Sequence, residues 1–226
     1  MKAIVLGATG LVGNELLQLM EEDARFEKIE LISRRELELK EMKVVNHVVD
    51  FDQLKSLPIE GPCDVLFIAF GTTLKIAGSK KAQWKIDVDI PTKVMKLARE
   101  IGVKQCVLIS ALGVSERSPF FYSRMKATLD KNARDAGFDK LIILKPSVLE
   151  GFRKDERMGE KISVAIGNLL GKTGLIDKYK PVQGMKVAQC MIQSLIELSD
   201  GYHEIHSGLI HSYAKRFKPQ PEVKSE

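Results

Sequence analysis

Short apolar runs rich in Val, Ile and Leu recur along the chain, and longer segments with the spacing of amphipathic helices separate them. Such runs are typical of strands that are buried on both faces, and strands that alternate with helices form parallel sheets. The pattern therefore predicts an α/β fold with a doubly wound parallel sheet. The predicted strands are residues 2–7, 28–32, 44–49, 63–69, 105–110 and 140–145, and the predicted helices are residues 11–22, 83–101 and 120–136.

The regular alternation weakens after Pro146. A charged, loop-like stretch follows, and beyond it the apolar positions predict two further helices and two short strands. We expect this part of the chain, about residues 147–214, to be a small region that covers a substrate. The predicted helices are residues 158–170 and 184–198, and the predicted short strands are residues 181–183 and 202–206.

Length and composition favour one domain. The chain has 226 residues, of which 44% are hydrophobic, and this is enough to bury one substantial core. We predict a single domain over residues 1–214 and a flexible tail over residues 215–226, where prolines stand among charges. No run approaches the roughly 18 apolar residues of a membrane helix, and the first residues do not form a signal peptide, so a soluble cytoplasmic protein is expected.

Charge, cysteines and histidines argue against other classes of function. The formal net charge is +5, but the cations are spread among nearly as many acids, so no nucleic-acid surface is expected. Cys63, Cys106 and Cys190 lie far apart beside apolar stretches, which favours reduced core cysteines. The spacing of His203 and His206 is compatible with metal ligands, but the sequence around them is strand-like, so no metal is expected.

A glycine-rich turn follows the first predicted strand and opens an amphipathic helix. Glycines at this spacing allow a tight turn, let backbone amides approach a pyrophosphate, and let the helix pack close to the strand. A glycine turn without function is the alternative, but the context of strand, turn and helix favours an NAD(P)-binding Rossmann domain. The residues assigned to this part of the cofactor site are Gly7, Thr9, Gly10, Leu11, Val12 and Gly13.

The end of the second predicted strand indicates which dinucleotide binds. Ser33, Arg34 and Arg35 stand where an acidic residue would bind the ribose 2′-hydroxyl of NAD. Two guanidiniums suit the 2′-phosphate of NADP instead, and they can stack on adenine. Exposed arginines without this role are the alternative. We predict NADP(H) as the cofactor.

Two further strand ends are expected at the same pocket, because ligands in such folds collect at the carboxyl edge of the sheet. Asp50 and Phe51 follow the third strand and suit contacts with adenine. Phe70, Gly71 and Thr72 follow the fourth strand, where glycine lets the backbone approach the cofactor closely. Each set is equally compatible with an ordinary strand end.

A tyrosine and a lysine at helical spacing, together with a nearby serine, predict the chemical site. Tyr122 and Lys126 stand four residues apart in a predicted helix and project from one face. The ammonium and a nicotinamide cation favour the phenolate, so Tyr122 is the candidate general acid or base, while Lys126 could also hold the ribose. Ser110 ends the fifth strand, where its hydroxyl would either polarise a substrate carbonyl or cap the strand.

With these motifs in this order, the chain resembles an atypical member of the short-chain dehydrogenase/reductase superfamily. It is most similar to the branch of Tat-interactive oxidoreductase-like proteins, and the likeness covers nearly the whole chain. Beyond the glycine turn, the resemblance rests on residues 31–35, 48–51, 71–73 and 146–149, on Lys75, Ala77 and Gly78, and on Tyr122 with Lys126.

The resemblance makes Tyr122 the proton donor and implies a set of NADP contacts. These contacts are Thr9, Gly10, Leu11, Val12, Arg34, Arg35, Phe70, Gly71, Tyr122 and Lys126. The resemblance also places Leu149 and Arg157 at the nicotinamide end of the cofactor or substrate pocket. One departure concerns the fifth strand. The family commonly has two consecutive serines there, and the second is catalytic in related reductases, but Ala111 holds that place here.

Three functions are compatible with these residues. The first is an NADPH-dependent oxidoreductase that moves hydride to or from a carbonyl or alcohol substrate. The second, favoured by Ala111, is a redox-sensing regulatory protein that binds NADP(H) with little catalysis. The third is a sugar-nucleotide epimerase or dehydratase, which would need a larger substrate region. The expected partner is a small-molecule substrate. A charged loop with Arg153, Lys154 and Arg157 suggests either an anionic group on that substrate or contacts with the phosphates of the cofactor. A protein partner and a monomer or a dimer stay open.

Overall fold

A parallel sheet of seven strands organises the computed structural model, which describes residues 1–150 and 181–221. Two further short strands pair only with each other. The strands are β1 (Lys2–Leu6), β2 (Lys28–Ser33), β3 (Val44–Val48), β4 (Val65–Ile68), β5 (Gln105–Ile109), β6 (Lys140–Lys145), β7 (Leu149–Glu150), β8 (Val182–Gln183) and β9 (Gly201–His206).

The order of strands in the sheet is β3-β2-β1-β4-β5-β6-β9, and each neighbouring pair is parallel. The predicted α/β fold with a doubly wound parallel sheet is therefore confirmed. The helices are α1 (Leu11–Glu21), α2 (Leu74–Ala77), α3 (Lys80–Trp84), a π-helical turn (Lys85–Asp89), α4 (Ile90–Glu100), α5 (Phe121–Asp135), α6 (Gly184–Glu197) and α7 (Ser207–Arg216).

The core lies on both faces of the sheet because successive side chains of a strand point to opposite faces. On one face, Val5 of β1 packs in a buried cluster with Leu16 of α1 and Met191 of α6. On the other face, Leu6 packs in a second cluster with Met95 of α4. All five side chains are fully buried. Helices thus cover the sheet on both sides and leave its carboxyl edge for the loops.

The predicted helix over residues 83–101 differs in the structure. Helix formation already begins at Lys80, because the hydroxyl of Ser79 accepts a hydrogen bond from the backbone N–H of Ala82 and caps the first turn. The backbone then passes through the π-helical turn before α4 begins at Ile90. A π-helical turn inside a helix is uncommon and is frequent at functional sites.

The described chain after residue 183 extends the core. The predicted strand near 202–206 is present as β9, which pairs with β6 as the seventh strand of the main sheet. The predicted helix over 184–198 is present as α6, whose apolar side packs in the same cluster as α1. These elements belong to the sheet and its helical layer rather than to a covering region, whereas the predicted helix over 158–170 lies outside the described residues.

The first residues of the predicted tail, which was expected to begin at residue 215, are helical. Lys215 and Arg216 form the last turn of α7, and Arg216 is paired with Glu197 of α6 at 2.7 Å. The next residues return to the loop after α1, where the backbone N–H of Ala24 donates to the carbonyl of Gln220 at 2.7 Å. No helix in the described ranges is long and apolar enough to cross a membrane.

Candidate cofactor and active site

The carboxyl ends of β1 and β4 lie side by side at the point where the strand order reverses. Gly7 follows β1, and Phe70 and Gly71 come shortly after β4. In open α/β sheets the ligand crevice forms outside the carboxyl ends of the strands at such a switch point. The fold therefore brings two of the predicted segments of the cofactor site together.

The glycine turn has the geometry that its sequence predicts. Gly7 has a φ of +101°, and its carbonyl accepts a hydrogen bond from the N–H of Gly10 at 3.0 Å. A Cβ atom built on Gly13 would lie 1.9 Å from the Gly7 carbonyl oxygen, so only glycine allows this approach of helix and strand. In the part of the chain that the structure describes, no side chain caps the N-terminus of α1, and its first amides are therefore available to an anion. These features fit the pyrophosphate of a dinucleotide.

A cleft of about 300 Å³ opens over this turn. Three other predicted members of the site contribute packing, since Val12 and Gly13 are buried and Leu11 lies against Gly184 of α6. The residues that line the cleft are Gly7, Ala8, Thr9, Ile32, Ser33, Arg34, Arg35 and Phe70.

The two arginines lie at the end of β2, on the rim of this cleft, and both are exposed. The hydroxyl of Ser33 donates a hydrogen bond to the carbonyl of Arg35 at 2.5 Å, and Nδ2 of Asn46 donates to the same oxygen at 3.2 Å. The backbone that carries the guanidiniums is thus fixed, while the guanidiniums themselves face solvent. Ser33 acts here as a support of the turn.

A second cleft, of about 620 Å³, adjoins the first through Arg34, which lines both. Asp50 and Phe51 lie on its wall, as the sequence predicts for an adenine pocket. The ring of Phe51 is buried, with its centroid 5.9 Å from that of Phe70. Lys85 of the π-helical turn also lines this cleft.

The centre of the candidate active site is a buried ion pair. Nζ of Lys126 on α5 lies 3.0 Å from Oδ1 of Asp87 in the π-helical turn, and both side chains are almost fully buried. Oδ2 of Asp87 accepts a hydrogen bond from the N–H of Thr72 at 2.9 Å. A Cβ on Gly71 would lie 2.8 Å from Asp87 and 3.5 Å from Nζ of Lys126, so glycine leaves room for the pair. The amide of Thr72, predicted to contact the cofactor, is committed to Asp87.

Tyr122 lies one turn before Lys126 on α5 and is partly exposed, with 41% of its surface accessible. Although part of the side chain is accessible, desolvation by the surrounding protein is the largest influence and raises the pKa of Tyr122. Lys126 lowers this pKa, while Asp87 and Asp130 raise it further. The net shift is upward, whereas the sequence predicts a lower value. The pKa of Lys126 is also raised, because Asp87 and Tyr122 together outweigh its desolvation. Lys126 therefore stays charged, and in the protein alone Tyr122 stays protonated.

Ser110 lies at the end of β5 and is buried, and its hydroxyl is shielded from solvent and makes no hydrogen bond of good geometry to the described residues. Its neighbour is Asp130 of α5, whose pKa it lowers. In this conformation the hydroxyl does not reach solvent, so its binding of a substrate carbonyl stays a prediction.

The remaining predicted positions lie elsewhere or outside the described residues. Leu149 is partly buried in β7 and packs against the cluster that contains Leu16, and Arg157 is not among the described residues. Within residues 1–150 and 181–221, no three His, Cys, Asp or Glu side chains are grouped as metal ligands. The three cysteines are free and buried.

Two acidic residues of this region were missed by the sequence reasoning. Asp87 and Asp130 are both almost fully buried, and each is paired with a lysine of a different element. Asp87 pairs with Lys126 of α5, and Asp130 pairs with Lys145 of β6. The available signal was their position among apolar residues of predicted helices, as with Asp87 between Ile86 and Val88. A charged residue at a buried helical position requires a partner.

Comparisons with known proteins support the fold and identify relatives. Residues 2–86 match the family described as "Semialdehyde dehydrogenase, NAD binding domain". "Protein FMP52, mitochondrial" of Candida albicans is 34% identical over 200 residues, which cover 85% of this chain and 86% of that protein. The protein of the same name from Kluyveromyces lactis is 34% identical over 204 residues, with 89% and 83% covered.

Solved structures with this fold include several epimerase-like proteins. A putative NAD-dependent epimerase/dehydratase from Bacillus halodurans is 17% identical with a TM-score of 0.69, covering 96% of this chain and 99% of that one. The human epimerase family protein SDR39U1 with NADPH is 17% identical with a TM-score of 0.57, covering 99% and 82%. MoeE5 in complex with UDP-glucose and NAD is 13% identical with a TM-score of 0.66, covering 98% and 83%. At these identities the likeness establishes the Rossmann-type fold alone.

The names of the relatives correct one prediction and limit another. The expected cytoplasmic location is wrong, because the related proteins of Candida albicans, Eremothecium gossypii and Kluyveromyces lactis are all named as mitochondrial. The resemblance to the short-chain dehydrogenase/reductase superfamily agrees with the structural neighbours. These relatives carry the name FMP52, however, and not that of the Tat-interactive branch.

Proposed function

The chain belongs to the FMP52 family, and from this premise we propose that it is an NADPH-dependent oxidoreductase that acts on a carbonyl or alcohol substrate. One observation carries the proposal. The Lys126–Asp87 pair lies against Gly71, the residue next to Phe70, and Phe70 lines the cleft over the glycine turn. A nucleotide-type cleft and a Tyr-xxx-Lys pair therefore meet at one edge of the sheet.

The preference for NADPH rests on Arg34 and Arg35. Both lie exposed on the rim of the cleft that the glycine turn forms, and the strand end that carries them has no acid. An acid at this place binds the 2′-hydroxyl of NAD, whereas guanidiniums bind a 2′-phosphate through charge-assisted hydrogen bonds.

When bound, NADPH would supply the hydride that reduces a carbonyl carbon and would be oxidised to NADP⁺. Tyr122 gives its hydroxyl proton to the carbonyl oxygen as the C–H bond forms, so the product is the alcohol, and solvent returns the proton to Tyr122. Lys126 holds the nicotinamide ribose with its ammonium, and Asp87 fixes that ammonium in place. The raised pKa of Tyr122 keeps it protonated and thus ready as an acid.

A second candidate is an NADP(H)-binding regulatory protein with little catalysis, and the burial of Ser110 favours it. The hydroxyl predicted to bind a carbonyl is inaccessible, and Ala111 offers no replacement. The sugar-nucleotide epimerase alternative is compatible with the same fold. A small-molecule substrate is part of the first proposal, and a protein partner is part of the second.

Titration with NADPH and with NADH, followed by nicotinamide fluorescence, tests the cofactor. We expect NADPH to bind at least about tenfold more tightly than NADH, as two charge-assisted contacts would give. The double variant Arg34→Ala, Arg35→Ala should lose this preference. Lys104→Ala, which removes an exposed cation just before β5 at the opposite edge, is the matched control. Equal affinity for the two cofactors in the native protein contradicts the NADPH assignment.

Turnover distinguishes the candidate functions. A screen of aldehydes and ketones with NADPH should find a substrate whose reduction Tyr122→Phe slows by at least about 100-fold, the usual contribution of general acid catalysis. NADPH affinity should stay within a few fold, because Tyr122 is partly exposed at the edge of the site. Tight binding without any turnover favours the regulatory protein, and activity only with nucleotide sugars favours the epimerase.

A further inference from the structure

Three residues of α5 follow one another at intervals of four and form a stripe along the helix. These are Tyr122, Lys126 and Asp130, and the stripe passes from the partly exposed tyrosine to two almost fully buried charges. Side chains at this spacing lie above one another on one face of a helix. Asp130 therefore lies beyond Tyr122 and Lys126 on the same helix face, at the buried end of the stripe.

Asp130 is held incompletely by its neighbours. Its Oδ2 lies 3.3 Å from Nζ of Lys145 at the end of β6, and Lys145 also donates a hydrogen bond to Glu204 of β9 at 2.7 Å. Among residues 1–150 and 181–221, no group makes a hydrogen bond of good geometry to either carboxylate oxygen of Asp130, and the same holds for the buried hydroxyl of Ser110 beside it. Buried polar groups without such bonds are rare in folded proteins and call for a functional explanation.

We propose that Asp130 is a positioning residue of the candidate active site, whose carboxylate acts on Tyr122 through the charge balance of α5. The proposal rests on the proposed function for its effect on turnover. Its effect on the ionisation of Tyr122 can be measured without cofactor or substrate.

The charges along the stripe indicate in which direction Asp130 shifts the pKa of Tyr122. Burial is the largest influence and raises the pKa of Asp130, while Ser110 and Lys145 lower it. The negative charge of Asp130 in turn raises the pKa of Tyr122 and of Lys126. A tyrosine with a carboxylate behind it holds its proton to higher pH, so the form that can donate a proton persists over a wider pH range.

Other charges that act on the stripe come from neighbouring elements. Asp87 of the π-helical turn pairs with Lys126 in front of Asp130, and Arg134 lies one turn further along α5. Glu204 of β9 shares Lys145 with Asp130 and also lies 4.0 Å from Arg134. These groups stay in place in the variant Asp130→Asn, so that substitution changes one charge alone.

The test is an alkaline titration of the cofactor-free protein, followed by the near-ultraviolet absorbance of tyrosinate. The signal of Tyr122 is the difference between each protein and the same protein with Tyr122→Phe. We expect Asp130→Asn to move the ionisation of Tyr122 to lower pH. Asp135→Asn removes an exposed carboxylate from the same helix and should leave it unchanged. In turnover, Asp130→Asn should shift the alkaline limb of kcat for reduction to lower pH, with the KM for NADPH unchanged.

An unchanged ionisation of Tyr122 in a folded Asp130→Asn protein overturns the proposal. If this variant does not fold, the native protein supplies the answer through nuclear magnetic resonance of isotope-labelled tyrosine ring carbons. The resonance of Tyr122, assigned by its loss in Tyr122→Phe, should shift at the pH at which Asp130 titrates, and a resonance without that step overturns the proposal. Because neither spectroscopic measurement needs NADPH, a failure here is distinct from a failure of the proposed function.

Discussion

The ammonium of Lys126 lies 3.0 Å from the carboxylate of Asp87, and both side chains are almost completely removed from solvent. The pair connects α5, which carries the proposed catalytic groups, to the π-helical turn that precedes α4. Because Asp87 also accepts the amide of Thr72, a single carboxylate joins the lysine to the loop after β4.

Removal of this carboxylate is expected to be costly. Asp87→Ala leaves the Lys126 ammonium buried without its counter-charge, and breaking a buried ion pair in this way costs about 3–5 kcal/mol. We expect urea unfolding to show a loss of that size in the free energy of unfolding. Asp89→Ala, which removes an exposed acid from the same turn, should cost less than about 1 kcal/mol. Equal losses in the two variants would contradict a stabilising role for the Lys126–Asp87 pair.

The glycine turn supplies a second prediction. A Cβ on Gly13 would lie 1.9 Å from the carbonyl oxygen of Gly7, and a backbone group cannot move aside as a side chain can. Gly13→Ala should therefore destabilise the protein by about 3 kcal/mol, at the upper end of overpacking costs. The control is Gly184→Ala, whose Cβ would meet the flexible side chain of Leu11 at 3.2 Å and should cost less than about 1 kcal/mol. Thermal unfolding of both variants measures the difference.

The sequence allowed those parts of the site to be predicted that depend on local backbone structure. The turn from Gly7 to Gly13 is such a part. Gly7 is required by its positive φ and Gly13 by the close approach of helix and strand, and both requirements arise within one strand-turn-helix unit. The alternation of apolar runs with helical segments likewise predicted the parallel sheet, because each apolar run indicates a strand that is buried on both faces. The seventh strand, β9, was found as a strand but not as part of the sheet, because pairing with β6 is decided by packing between distant segments.

Side-chain contacts between different elements could not be predicted from the sequence. The spacing of Tyr122 and Lys126 predicts that they share a helix face. It does not predict the ion pair of Lys126 with Asp87, because Asp87 lies in a different helical segment. The predicted direction of the pKa shift of Tyr122 was therefore wrong. Lys126 alone would lower this pKa, but burial and Asp87 raise it. The hydroxyl of Ser110 is buried for a similar reason, since α5 places Asp130 beside it.

The stability of the sheet is expected to depend on pH through Glu30. This carboxylate is buried on β2, and it contacts Lys2 at 3.2 Å, Lys28 at 3.1 Å and His47 at 2.7 Å. Burial raises the pKa of Glu30, but the hydrogen bonds from His47, Lys28 and Lys2 outweigh it, so the pKa lies below its ordinary value of 4.5. A carboxyl with a lowered pKa in the folded state stabilises the protein above the pKa of the unfolded chain.

The contribution of Glu30 should therefore be fully present above pH 4.5 and decline as the pH falls through the lower pKa of the folded state. Urea unfolding at a series of pH values measures this decline as a slope in the free energy of unfolding. Glu30→Gln should flatten the slope, whereas Glu27→Gln, an exposed partner of the N-terminal amine, should not. A slope that stays the same in Glu30→Gln would remove this carboxyl from the acid response.

The ion pair of Lys85 with Asp52 provides the opposite case, in which an ion pair contributes little to stability. Its atoms lie 2.6 Å apart, but the two side chains are 49% and 58% exposed, so water screens the attraction. Lys85→Ala should change the free energy of unfolding by less than about 1 kcal/mol. Both residues line the cleft beside Arg34, however, so the same variant should weaken NADPH binding if adenosine phosphate occupies that cleft. A large loss of stability with unchanged NADPH affinity would place Lys85 in the structural framework and not at the cofactor.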